Sequence, residues 1–279
     1  MIKVIQGELY RIRKNSLSFL LIFLSTFFML AFATTFRYNT LKTTSVINID
    51  ISITLNKYTE FLFSDYSLII PITIFLILYF TEDYMKGLHE VVFSKGISRM
   101  KFFFGKLFTS WIVIVFYIVF NVLVAYLFLI SISVNQFQIE YSIWTIVGYL
   151  IIQMFCFIGY SCFLWLFSFA IRHRTLALVI IFVLLGTLYL YLTKISIALD
   201  MTYSLYKYWI VGLSHIMPIA SYPQELSTIL VTILIYIVFP IVLAFFIYQR
   251  ADLRRLERKW WNEDTIYTVG CIVLVITHT

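Results

Sequence analysis

Charge is scarce in this sequence. Asp, Glu, Lys and Arg make up 13% of the 279 residues while 62% are apolar; soluble domains run at roughly 25% and 45–50%. A water-soluble protein is excluded. Cysteine is equally scarce: there are three, and Cys156 and Cys162 fall six residues apart in one apolar run. That spacing points them to different sides of a helix, so no disulfide framework is available and they read as apolar filler. The four histidines, His89, His173, His215 and His278, are scattered over different loops, and no His-Glu-x-x-His run occurs, which disfavours a zinc protease and leaves no metal site. A phosphate-binding Gly-x-x-x-x-Gly-Lys-[Ser/Thr] loop is missing. Gly105-Lys106 is followed by leucine and lacks the upstream glycine, so the chain is not expected to hydrolyse ATP by itself. Glu82-Asp83 is not followed by the arginine pair and distal histidine that a glutamate-type membrane protease requires. No catalytic residues are assigned.

What remains is a series of long apolar runs. They place spans at about 17–36, 61–80, 107–130, 143–171, 175–193 and 229–248, each long enough to enter a bilayer. The expected fold is an all-α polytopic membrane protein. The 143–171 run is long enough to require tilt, a kink or projection from the bilayer, and Gly148 and Gly159 permit close helix contact there. Span 61–80 holds Asp65 near one end and Pro71, which frees a backbone carbonyl and is expected to kink this helix. Met1 to Lys14 reads as an interfacial helix, with Ile5, Leu9 and Ile12 on one face and Lys3, Arg11 and Lys14 on another. A signal peptide is the alternative, since Ala31-Phe32-Ala33 has the small-x-small form of a cleavage site; the length of 17–36 and the spans after it favour retention. Residues 43–55 alternate weakly, as in a short strand or hairpin.

Thr81 to Lys106 carries five of the 21 basic residues, Lys86, Lys95, Arg99, Lys101 and Lys106, between two spans. Tyr84 to Phe93 is helix-compatible, with Glu82 and Asp83 at its amino end to complement the dipole and Gly96 to end it. Met85, Leu88 and Val92 share one face, an amphipathic element too short to fold alone. With both termini on one side, basic residues number 16 on that side and five on the other out of 21, which assigns both termini and this loop to the cytoplasm and the protein to the plasma membrane. The net charge of +7 gathers at span ends rather than in one patch, so membrane lipids, not nucleic acid, are the expected charged partner.

Lys194 to Ser227 is neither a clean span nor a polar loop. Tyr203, Tyr206, Tyr208 and Trp209 are interfacial aromatics, and Ile210 to Ala220 is apolar but too short to cross, with Pro218 and Pro223 breaking it. A re-entrant segment on the outer side is expected. After the Gln249 to Leu253 exit, residues 254–279 form a basic tail with an 11-residue apolar stretch, Ile266 to Ile276, too short to span.

The order Glu82-Asp83, Gly87-Leu88, Ser94-x-Gly96-Ile97-Ser98-Arg99, Gly105-Lys106-Leu107 resembles the loop between the second and third spans of ABC-2-type transporter permeases. The six spans over residues 1–253 and the closing Arg250-Ala251-Asp252-Leu253 extend the resemblance. It implies a permease subunit of an ATP-driven exporter, working as a dimer with a second copy or a homologous permease. Glu82, Asp83, Gly87, Leu88, Ser94, Gly96, Arg99 and Lys106 would form the coupling helix and its flanks, docked on an ABC ATP-binding subunit that uses ATP and Mg. The last external segment would be an outer gate, with Pro71, Trp209 and Pro218 as candidates for the pathway or gate. Hydrophobic or amphipathic cargo such as a peptide antibiotic or lipid-like molecule is implied, as in lantibiotic and bacitracin immunity exporters; 28 Phe and 20 Tyr suit such cargo. A secondary transporter, which would need intramembrane carboxylates or an internal repeat, and a membrane assembly factor are the alternatives.

Overall fold

A computed structural model of the chain describes residues 1–16, 19–31, 34, 53–64, 67–85, 92–132, 137–138, 142–171, 173–199, 205–220 and 222–250. In chain order the helices are α1 (Ile2–Lys14), α2 (Phe19–Ala31), α3 (Leu55–Ser64), α4 (Ile69–Met85), α5 (Arg99–Ile132), α6 (Ile143–Ile171), α7 (Arg174–Ala198), the short α8 (Ile210–Ile216) and α9 (Leu226–Arg250). Ile53–Thr54 and Phe137–Gln138 pair as a two-residue parallel ladder, Ile53 with Phe137 and Thr54 with Gln138. Four helices, α5, α6, α7 and α9, are each long and apolar enough to cross a bilayer, and the number is six if each of two bent pairs is one span. The chain is a helical, multi-pass membrane protein.

Span 143–171 coincides with α6, and those read as 107–130, 175–193 and 229–248 lengthen into α5, α7 and α9. The run read as 61–80 is two helices, α3 and α4, bent by 44°. Pro71 lies in the first turn of α4, where its missing N–H removes no helical hydrogen bond; the bend therefore precedes the proline instead of arising at it. Tyr117 on α5 donates its hydroxyl to the Leu68 carbonyl at this break, at 3.2 Å, which satisfies a backbone group that lipid could not. α3 also takes in residues 55–60, which precede the expected span. At 34 residues α5 is about 51 Å long, well beyond an apolar core of about 30 Å, and absorbs Arg99 to Lys106. α7 begins at Arg174, where His173 Nδ1 accepts a bond from Leu176 N–H as the cap, and runs to Ala198. α1 and α2 meet at 67°. Pro240 sits inside α9.

α6 is the hub, touching α4, α5, α7, α8 and α9. Its partners are chosen by shape. A Cβ on Gly159 would lie 3.4 Å from both Ile210 and Tyr236, and one on Gly148 only 2.5 Å from the Tyr222 hydroxyl, so both glycines let neighbouring segments approach. Phe103 sits among Trp165, Phe169, Phe245 and Tyr248 with ring centroids 5.4–5.6 Å away, and Phe80 meets Trp165 edge-on at 4.3 Å. This aromatic block joins α4, α5, α6 and α9 at one end of the bundle. Cys156 and Cys162 are buried and free, in keeping with apolar filler. Residues 35–52, Asp65, Arg172 and 251–279, which include the tail 254–279, lie outside the described residues.

Candidate functional site: a buried ionic clasp and an opposite polar clamp

The clasp forms where α1, α4 and α5 meet. α4 does not stop before Glu82 and Asp83 but carries them in its last turn, the negative end of the helix dipole, where a carboxylate is disfavoured. The expected helix from Tyr84 therefore does not begin there: Tyr84 and Met85 finish α4. Asp83 is fully buried and Lys106 1% exposed. An ion taken out of water costs several kcal/mol unless a close partner compensates, and here each compensates the other: Lys106 Nζ binds Asp83 Oδ2. Lys106 also reaches the Phe80 carbonyl at 3.5 Å. It was expected on the docking loop; buried eight residues into α5, it has no surface to offer a partner, and the same correction applies to Asp83.

α1 supplies the third side. Arg11 Nη1 lies 2.6 Å from Asp83 Oδ1, Nη2 lies 2.9 Å from Glu8, and Nε stands 3.9 Å from Glu82. Arg11 thus turns inward, away from the outer face to which its periodicity assigned it. Tyr79 donates its hydroxyl to Glu8 at 2.9 Å, and its ring lies 4.7 Å from Lys106 Nζ and 5.5 Å from the Arg11 guanidinium. With three acids and two bases the clasp carries one acid in excess. Burial pushes the Glu8 carboxyl above its ordinary range, outweighing the pull of the Lys106 and Arg11 charges. Gly105 makes the approach feasible, since a Cβ there would stand 2.7 Å from Val4 Cγ1.

Between the clasped helices runs the segment 86–98. Gly87, Leu88 and Lys86 lie outside the described residues, so the expected amphipathic face of Met85, Leu88 and Val92 is not described. Val92–Ser94 forms a helical turn, and Gly96 follows with φ +77°, the left-handed conformation that ends a helix without steric cost. Ser94, Gly96 and Arg99 are exposed, and the Arg99 guanidinium lies over Phe93 at 5.7 Å. Glu82 is partly exposed.

The clamp lies at the opposite end. Lys207 and Glu225 form an ion pair that closes the chain segment between them into a loop around α8. Within it Trp209, Ile210, Leu213, Met217 and Ile219 are buried. Gln153 of α6 holds α8 from both sides of its amide: Nε2 donates to the Ser214 carbonyl at 3.1 Å, and Ser214 Oγ donates to Oε1 at 2.8 Å. Tyr149 donates to the Met217 carbonyl at 3.1 Å, Tyr222 to the Thr145 carbonyl at 3.0 Å, and Ile219 N–H reaches Glu60 of α3 at 2.6 Å. The helix end left open by Pro218 is thereby satisfied from α6 and α3.

The three expected gate residues do not share one wall. Trp209 packs edge-on against Phe163 and Tyr236 at 5.0 and 5.9 Å, and Pro218 is exposed. Pro71 instead lines a small apolar crevice of about 30 Å³ with Ile12, Leu21, Phe75, Phe116 and Tyr117; neither Trp209 nor Pro218 borders it. Among the described residues no three His, Cys, Asp or Glu side chains are placed to hold a metal ion.

Glu8, Tyr79, Gln153 and Glu60 were not singled out from sequence, and Arg11 only as part of the polar face of α1. Two carried a legible signal. Glu8 falls on the same helical face as Val4, Ile5 and Ile12, where a charge demands a buried partner, and Gln153 is an amide inside an apolar span. No protein-family model matches the chain, and no curated protein matches it.

Proposed function

We propose that the chain is the membrane-spanning permease subunit of an ATP-driven exporter, with ATP hydrolysed by a separate subunit that docks on residues 86–98. The observation that carries this reading is the clasp itself. The segment 86–98 leaves α4 three residues after Asp83 and enters α5 seven residues before Lys106, and those two side chains are locked to each other. A push on the segment therefore moves the ends of α4 and α5 together instead of flexing the loop, and Arg11 draws α1 with them. The aromatic block around Phe103 passes the displacement to α6 and α9. At the far end α6 grips α8 through Gln153, so one rigid helix connects the input end to the clamp.

In this reading the clasp end is cytoplasmic, consistent with the distribution of basic residues, and all six spans are used, with α1 at the interface and each bent pair counted once. The segment around α8 enters the membrane from outside and returns without crossing, as the Lys207–Glu225 pair at its two ends supports. Two copies, or one copy beside a homologous permease, enclose the pathway for a hydrophobic or amphipathic cargo.

A second reading, a proton-coupled secondary transporter, gains support from the buried carboxylates of Asp83 and Glu8. Their position disfavours it: such sites sit near the bilayer midplane, whereas these lie in the last turn of α4 and on α1. The deciding experiment is reconstitution of the chain with and without an ATPase encoded beside it. Export that requires ATP and the second subunit, and co-purification that falls on Gly87→Pro while membrane insertion persists, supports the permease; transport by the chain alone along a proton gradient overturns it.

A further inference from the structure

The outward face of α1 takes no part in the clasp. The inward face is fully engaged: Val4 against Gly105, Ile12 in the crevice beside Pro71, and Glu8 and Arg11 in the clasp. An interfacial helix ordinarily buries its apolar face in lipid, but this one gives that face to its own protein. At 100° per residue, Lys3, Gln6, Tyr10, Arg13 and Lys14 fall on the opposite side, and all five are exposed. Tyr10 is 59% and Ile2 72% exposed, and Lys14 Nζ lies 5.0 Å from the Tyr10 ring. The single acid of α1 is Glu8, which is buried, so the outward face carries three cations and no acid.

We infer that this face is a docking surface for anionic phospholipid headgroups, with Lys3, Arg13 and Lys14 as phosphate contacts and Tyr10 as the aromatic anchor. Two features commit it to lipid rather than to an acidic protein. Arg13 and Lys14 precede by only a few residues the helix α2, whose Phe19, Leu20, Phe23 and Phe27 are 59–74% exposed and need a hydrocarbon surrounding. With α2 taken as the start of the first span, the 67° bend also turns α1 toward the plane of the bilayer. Its 13 residues then run about 20 Å along the headgroup layer. The clasp sets the rotation of the helix: Arg11 and Glu8, held by Asp83 and Tyr79, keep the three cations turned outward. The inference is independent of the cargo and of the partner ATPase.

A basic residue near an anionic surface contributes about 1 kcal/mol, a factor of about five, so each of the three contacts should favour an anionic over a zwitterionic lipid about fivefold at low ionic strength and less in physiological salt. Gly7 suits a reporter, because a side chain added there meets open space. The full chain carrying Gly7→Cys and Cys271→Ser, with buried Cys156 and Cys162 left in place, is labelled with a fluorophore. It is then placed in nanodiscs of phosphatidylcholine with a minority of phosphatidylglycerol, and the nitroxide is put on one lipid or the other. Quenching should be several-fold stronger from labelled phosphatidylglycerol, the preference should shrink with added salt, and Lys3→Gln/Arg13→Gln/Lys14→Gln should abolish it. Lys95→Gln/Lys101→Gln, off α1, should leave it intact. Equal quenching by both lipids, or a preference that survives the triple variant, overturns the inference. So does a reporter indifferent to lipid but shielded on addition of the ATPase, which would assign the face to protein.

Discussion

Removing one member of the Asp83–Lys106 pair should be far worse than removing both. Asp83→Leu leaves Lys106, 1% exposed, with no carboxylate in contact and only the Phe80 carbonyl at 3.5 Å and the Tyr79 ring face. Breaking a buried pair in this way costs about 3–5 kcal/mol. Arg11 loses its 2.6 Å contact as well, but its side chain is 27% exposed and keeps Glu8 at 2.9 Å, so its share is about 1 kcal/mol or less. A total near 4 kcal/mol lowers the folded-to-unfolded ratio by about three powers of ten. In Asp83→Leu/Lys106→Met both charges vanish along with their desolvation cost, and replacements of this kind are often neutral or stabilising by 1–4 kcal/mol, so the double variant should return to within about 1 kcal/mol of the natural protein. Denaturant titration of the detergent-purified protein, read by tryptophan fluorescence, measures all three. A single variant within about 1 kcal/mol of the natural protein, or a double variant as damaged as the single, would refute a desolvated, mutually dependent pair.

Three other outcomes follow from the same geometry. Because burial raises the Glu8 carboxyl, protonation favours the folded state below the unfolded pKa, and that contribution is lost as pH rises through the folded value; Glu8→Gln, which mimics the protonated acid, should match or exceed the natural protein in thermal stability near neutral pH and converge with it on acidification. A natural protein more stable than the variant at neutral pH would reverse the sign. Gly105→Val should overpack the α1–α5 contact by about 1–3 kcal/mol, with Val4→Ala restoring most of the loss in thermal melts; failure of that rescue would remove the Val4 contact as the cause. Lys207→Cys and Glu225→Cys, each in a cysteine-free background, should both react with an impermeant thiol reagent applied outside intact cells, whereas labelling of one alone would mean that the segment between them crosses the membrane.

The sequence by itself determined that this is a helical multi-pass protein, because scarcity of charge and runs of apolar residues fix the solvent, and lipid admits few backbone solutions. It also located α6 to the residue and marked Gly148 and Gly159 as contact points. Tertiary structure decided what periodicity cannot encode. Glu82 and Asp83 carried the signature of a helix start, yet they end α4, because a lysine 23 residues later and an arginine 72 residues earlier supply the compensation that the helix dipole withholds. Lys106 counted as one more loop cation until packing against Tyr79 and Phe80 removed it from water. Pro71 was read as a kink, but its effect depends on position within a helix whose start is set by Tyr117 reaching the Leu68 carbonyl. Partners distant in the chain meet only once the bundle is formed, and for this protein those meetings determine which charges are surface and which are structure.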